Sequence, residues 1–247
     1  MEQFSYLLLT VNISFVWLLI YFCRKDLRRR ILKSSIFGGG AGIVSEFWYF
    51  SDYWDPPSIF GLAVVSIEDV LFGFLITGVS VSIFDFILSK DSKKSGKGNK
   101  KLFGVFFILG LLGLLLFNNF LGFRSILVTS FFFIAFSVIM VIIRHDLLFP
   151  SIVSGIFMVI IMAIIYSIVF GIISPEYWNK YLIYKEMNFD LIVCKYIPPS
   201  ELLWYFAWGC FVGAAYDFTS GRIKTSKGRL ESCQSVNSLN TFKLNKG

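Results

Sequence analysis

Apolar runs of about twenty residues recur along this chain, separated by short charged turns. A helix of that length crosses the roughly 30 Å of hydrocarbon in a bilayer. Seven such runs are counted, at about 4–22, 31–50, 64–88, 102–122, 125–143, 149–173 and 200–219. Water-soluble domains carry about 25% charged residues. This chain of 247 residues has 16% charged and 56% hydrophobic residues, with a mean hydropathy of +0.71. The expected fold class is therefore all-α: a polytopic membrane protein of seven transmembrane helices with no soluble domain. The first run lacks a basic leader and a small-residue cleavage site, so it is expected to be a retained helix.

The formal charge of +7 is an orientation signal rather than a sign of nucleic-acid binding. Sorting Lys and Arg by alternating loops places 19 on one side and 4 on the other (Arg124, Lys180, Lys185 and Lys195). The positive side is cytoplasmic, which puts the N-terminus outside and the C-terminus inside. The Lys/Ser/Gly stretch 89–101 reads as a flexible linker, and the polar residues 222–247 as a disordered cytoplasmic tail.

Three landmarks occur twice in the same order. Arg24-Lys25-Asp26-Leu27 matches Arg144-His145-Asp146-Leu147 at an offset of 120. Asp52-Tyr53-Trp54 matches Glu176-Tyr177-Trp178 at 124, and Asp69 through Phe86 matches Glu201 through Phe218 at 132. Each copy is three spans. A direct tandem of three would invert the second copy, and the run 102–122, which carries no ionisable residue, restores its orientation. The expected organisation is a first repeat over 1–90, linker and spacer helix over 91–122, a second repeat over 123–221 and the tail over 222–247. Parallel repeats of this kind place their site between the copies.

Acids inside such runs are costly and mark functional sites. Glu68, Asp69 and Glu201 sit at the outer ends of their spans, and Glu46 lies at a similar depth. As acids at helix N-termini they also suit the helix dipole. Gathered in a dry place, such acids favour the protonated form and can donate a proton. Trp48, Tyr49 and Phe72 accompany them. Trp204, Tyr205 and Trp208 follow Glu201 at spacings of three, four and seven, along one helical face. Their π faces can stabilise a cation, though each also fits a core or lipid-facing aromatic. Asp85 and Asp217 lie about 24 Å away along the same helices and are expected to pair with the basic turns at Arg24 or Arg144. Gly38-x-x-x-Gly42 reads as close helix packing. The four cysteines show no metal-ligand spacing, His145 is the only histidine, and the seventh span has no lysine for a Schiff base.

The repeated acid motifs resemble those of the lycopene cyclase domain family, the integral-membrane carotenoid cyclases. Ser66-Ile67-Glu68-Asp69-Val70-Leu71-Phe72 is similar to the family's Pro-x-Glu-Glu-x-x-Phe motif, with Ser for Pro and Asp for the second Glu. Pro198-Pro199-Ser200-Glu201-Leu202-Leu203-Trp204 keeps Pro but has Ser for the first Glu, and Asp52-Tyr53-Trp54-Asp55-Pro56 resembles the aromatic loop before the first motif. The resemblance covers about 4–220. It implies a non-redox ring closure of an acyclic carotenoid, with no cofactor and no metal. Glu68 would be the leading proton donor, with Asp69 and Glu201 tuning it or acting as base. The implied partners are the polyene substrate and membrane lipid, with a second copy of the chain or other carotenoid enzymes also open. Two other readings stand beside it: a non-catalytic module that binds carotenoid or lipid, and a small-solute transporter.

Overall fold

The computed structural model describes residues 4–56, 66–88, 90–183 and 197–226. The chain is mostly helical, and its long helices lie within three residues of the expected spans. Helices α1 (Ser5–Cys23) and α2 (Arg28–Asp52) are joined by one 3-10 turn, Lys25–Leu27, and α3 spans Ile67–Ile87. Helix α4 (Lys100–Gly113) passes into π-helical turns over Leu114–Phe120. Helices α5 (Ser125–Ile143) and α6 (Leu148–Tyr166, with π turns over Ser167–Ile173) are joined by the 3-10 turn His145–Leu147. A short α7 (Tyr177–Tyr181) precedes α8 (Pro199–Ser220). Residues 64 and 65 of the third expected span lie outside the described residues, as do Cys194 and Cys233.

Five helices among the described residues are long and apolar enough to cross a membrane: Ser5–Cys23, Ile67–Ile87, Lys100–Phe120, Ser125–Ile143 and His145–Ile173. Helices α2 and α8, of 25 and 22 residues, fall outside that set. They carry the buried polar groups Arg30, Glu46, Glu201 and Asp217, which lower their hydropathy.

Local sequence sets the helix ends. Ser66 caps α3: the Asp69 amide donates to its Oγ at 3.2 Å, while the Ser66 amide donates back to Asp69 Oδ2 at 2.6 Å. Pro199 opens α8, where its missing N–H would have no partner in any case. Gly221 closes α8 in the left-handed region, at φ 66°, which favours glycine.

Helices α3 and α8 run through the centre. Helix α3 packs chiefly on α2 and α1, α8 on α6 and α5, and the two touch each other. The expected glycine contact is present: a Cβ on Gly73 would come 2.5 Å from the carbonyl oxygen of Gly38, and one on Gly42 would come 2.8 Å from that of Asp69. Gly73→Val is accordingly expected to force α2 and α3 apart at a cost of about 1–3 kcal/mol. Thermal unfolding in detergent reads this directly. Gly40→Ala, where a methyl would meet nothing within 4 Å, should leave the midpoint unchanged.

At the end of the bundle where α3 and α8 finish, β1 (Lys90–Lys94) pairs antiparallel with β2 (Arg222–Ser226). This corrects two expectations: 90–94 is not a loose linker, and the first five residues of the expected tail are ordered. The pairing satisfies backbone groups, and Arg222 adds bonds to the Ser92 side chain and carbonyl at 2.9 and 2.6 Å. Ser89 and residues 227–247 lie outside the described residues.

Arg24 and Arg144 make the same set of bonds. Arg24 grips Asp26 and donates to the carbonyls of Asp85 and Lys90. Arg144 grips Asp146 and donates to those of Asp217 and Arg222. Arg24 and Arg144 thus hold the backbone at Asp85 and Asp217 rather than their carboxylates, and the expected pairing with a basic turn is made by Arg30, from the same basic stretch as Arg24. Those carboxylates pair with Arg30 and Lys224. Arg30 lies 2.5 Å from Asp85 and 3.7 Å from Asp217, and Lys224 lies 2.5 and 2.7 Å from the same two. Sequence order hid this arrangement because Arg30 belongs to α2 and Lys224 to β2. Burial, with Arg30 beside it, holds the Lys224 ammonium below the ordinary lysine value.

At the opposite end of the bundle, the segments after α2 and around α7 cross. Asp55 donates its amide to the Tyr181 carbonyl at 3.0 Å, and Ile183 to that of Tyr53 at 3.1 Å. Trp54 and Trp178 stack there, 6.2 Å apart and inclined by 19°.

Candidate functional site

A cavity of about 360 Å³ lies between α2 and α3 on one side and α5 and α8 on the other, with α4 along its length. Helical periodicity builds its walls. From α3 come Asp69, Phe72, Gly73, Ile76 and Thr77; from α8 come Glu201, Trp204, Tyr205, Trp208, Phe211 and Val212. Both follow the three- and four-residue steps of one helix face. Phenylalanines of α4 and α5 complete the apolar lining.

Three carboxyl groups reach this cavity near the end where α3 and α8 begin: Glu46, Asp69 and Glu201, which are 5%, 4% and 5% exposed. Tyr6 donates to Asp69 Oδ1 at 2.8 Å, and Ser66 Oγ donates to Oδ2 at 2.7 Å. Tyr166 donates to Glu201 Oε2 at 2.9 Å, and its hydroxyl lies 2.6 Å from that of Tyr205. No hydrogen bond among the described residues ties up the carboxyl of Glu46, which lies within electrostatic reach of Asp69. The dipole reading holds in part for Asp69: it closes the α3 capping box and also lines the cavity.

Glu68 does not line the cavity, although it is buried at 1% exposure. Successive residues of a helix point about 100° apart, and the rotation of α3 turns Asp69, not Glu68, onto the cavity wall. The acid expected to lead therefore lies off the cavity, while Asp69 lines it.

The expected aromatics Trp48, Tyr49, Phe72, Trp204, Tyr205 and Trp208 all line the cavity. Trp204 and Trp208 stack 5.4 Å apart at 6°. Tyr49 is fixed between halves: its hydroxyl receives the Trp204 indole N–H at 2.8 Å and lies 2.7 Å from Thr129 Oγ1. Sequence reasoning missed Tyr6 and Tyr166, which hold the acids; Tyr53 and Trp54, read from the sequence only as a repeated aromatic landmark, also line the cavity. A signal for Tyr166 existed: it stands 120 residues after Glu46, the offset of the preceding basic turn.

An acid unengaged by hydrogen bonds, two tyrosine-bound acids and several aromatic faces on one apolar space can deliver a proton and shelter a cation. Comparison with family models, curated proteins and solved structures finds no match for this chain.

Proposed function

We propose that this chain is an integral-membrane carotenoid cyclase, closing the end group of a lycopene-type polyene by acid catalysis without redox change. The observation that carries this reading is the convergence of Glu46, Asp69 and Glu201 on one aromatic-lined cavity between α2–α3 and α5–α8. In the proposed reaction Glu46 protonates the terminal double bond. The resulting cation is attacked by the next double bond of the chain, which forms the ring bond. Asp69 and Glu201 face the positive charge, and one of them removes a proton from the ring to restore a double bond. The stacked indoles of Trp204 and Trp208 add cation–π stabilisation of about 0.5–2 kcal/mol each. The proton gained equals the proton lost, so product and substrate are isomers.

The proposal includes two parallel three-helix repeats that cross the membrane with α4 as spacer, N-terminus outside and C-terminus inside. Its support is the matched bonding of Arg24 and Arg144 and the stacking of Trp54 on Trp178, residues related by the sequence offsets. The test is expression in a host that accumulates lycopene. Pigment extracts with cyclic ends support the reading. Lycopene that co-purifies unchanged makes the chain a carotenoid-binding module instead.

A further inference from the structure

On the side of α2 the cavity is closed by little more than side chains. Helix α4 packs on α5 and α8, with Phe103 stacked on Phe211 at 5.6 Å and Phe106 on Phe136 at 4.8 Å. Its ties to α2 occur at two levels. At the inner level the half-exposed ring of Phe37 meets Phe103 at 6.2 Å and Phe107 at 6.0 Å. At the outer level Trp48 donates to Asn119 at 2.9 Å, and Asn118 donates to Asp52 at 2.5 Å.

From Phe37 to Trp48, α2 rises about 16 Å at 1.5 Å per residue. Over that height the cavity wall includes the small residues Ala41 and Ser45 from α2 and Gly110 from α4, beside the aliphatic Val44, Leu111 and Leu114. A Cβ on Gly40 would meet nothing within 4 Å, and one on Gly110 would touch only the Phe136 ring at 3.6 Å. No ionisable residue occurs in α4 from 102 to 120, and much of its surface is exposed apolar side chain. The wall between the two levels is thin, apolar and turned toward the surface that lipid would cover.

We propose that this window, gated by Phe37 against Phe103 and Phe107, admits a long linear hydrocarbon end-first from the bilayer. The inference rests on the reading of the cavity as a polyene site. Exposed rings change rotamer within nanoseconds, so Phe37 opens the window with the helix backbones in place. A linear polyene end and a lipid acyl chain share the chemistry that fits the opening, and the experiment separates them.

The full chain is reconstituted in liposomes, and lycopene uptake is followed by quenching of Trp204 and Trp208, with a Trp204→Phe/Trp208→Phe variant as the blank. Plugging the window with Ala41→Phe and Gly110→Phe is expected to slow association by about tenfold or more, as expected when entry requires displacement of packed groups. Phe37→Ala is expected to do the reverse: uptake of lycopene faster than in the wild type. Because this variant gains function, a folding defect cannot mimic it. Equal association rates in wild type, plugged and Phe37→Ala proteins overturn the portal. Quenching by brominated acyl chains in the absence of lycopene, lost on plugging, overturns the polyene as occupant and names the lipid chain. Wild type that takes up lycopene through the window but never closes a ring overturns the cyclase reading and leaves the portal standing.

Discussion

Glu46→Gln is expected to lower ring closure by about 10²–10⁴-fold, the range that a positioned general acid contributes, while lycopene still binds. The amide keeps the size of the side chain and removes its acidic proton. Asp69→Asn and Glu201→Gln should also fall sharply, because each would face the cation with a neutral amide, although the amide oxygen can still accept from Tyr6 or Tyr166. Glu68→Gln is the discriminating control. Its side chain is buried off the cavity wall, so it should retain most of the activity. Pigment ratios from the four variants at matched expression give the pattern. A Glu68→Gln enzyme as dead as Glu46→Gln would mean that the donor has been misassigned.

The second large effect lies at the other end of the bundle. Arg30→Met leaves Asp85 and Asp217, both fully buried, with Lys224 as their remaining ion-pair partner and Arg144 acting on Asp217 at longer range. An uncompensated buried charge of this kind costs about 3–5 kcal/mol. Lys224→Met removes the other cation and should behave similarly, although Lys224 is 11% exposed and a little water can reach it. Replacing all four charged residues together by Met and Leu removes the imbalance, and is expected to be neutral or stabilising by about 1–4 kcal/mol. Unfolding by titration with a denaturing detergent separates the cases. If the single and quadruple variants unfold alike, the cluster is not the clamp described. The cluster ties α2, α3, α8 and β2 together, so its loss should also loosen the nearby end of the cavity, where Lys33 and Thr219 line the wall.

Much of the helical layout was legible because apolar run length is a direct physical requirement. The stripe from Glu201 through Trp204, Tyr205 and Trp208 could likewise be read as one face, and in the fold it continues to Phe211 and Val212. Two kinds of feature were not legible. The choice between Glu68 and Asp69 depends on the rotation of α3 about its axis. The close contacts of Gly73 with Gly38 and of Gly42 with Asp69 set that rotation, and spacing alone does not give it. The partners of Asp85 and Asp217 depend on a strand pair between 90–94 and 222–226. Those segments are polar and lysine-rich, and look like linker and tail until the pairing is seen. The role of α4 was also hidden. A run without ionisable residues serves as a topological spacer, but its phenylalanines build a cavity wall as well.

The most direct test of acid-initiated closure is turnover of lycopene by the purified protein in heavy water, with the product read by mass spectrometry. A carboxyl group that has exchanged with solvent delivers a deuteron to the polyene, and the ring then loses a proton from carbon. Each ring formed should therefore carry one deuterium, with no other change in mass. Rings formed without deuterium, or lycopene recovered unchanged, would contradict proton delivery from the buried acids.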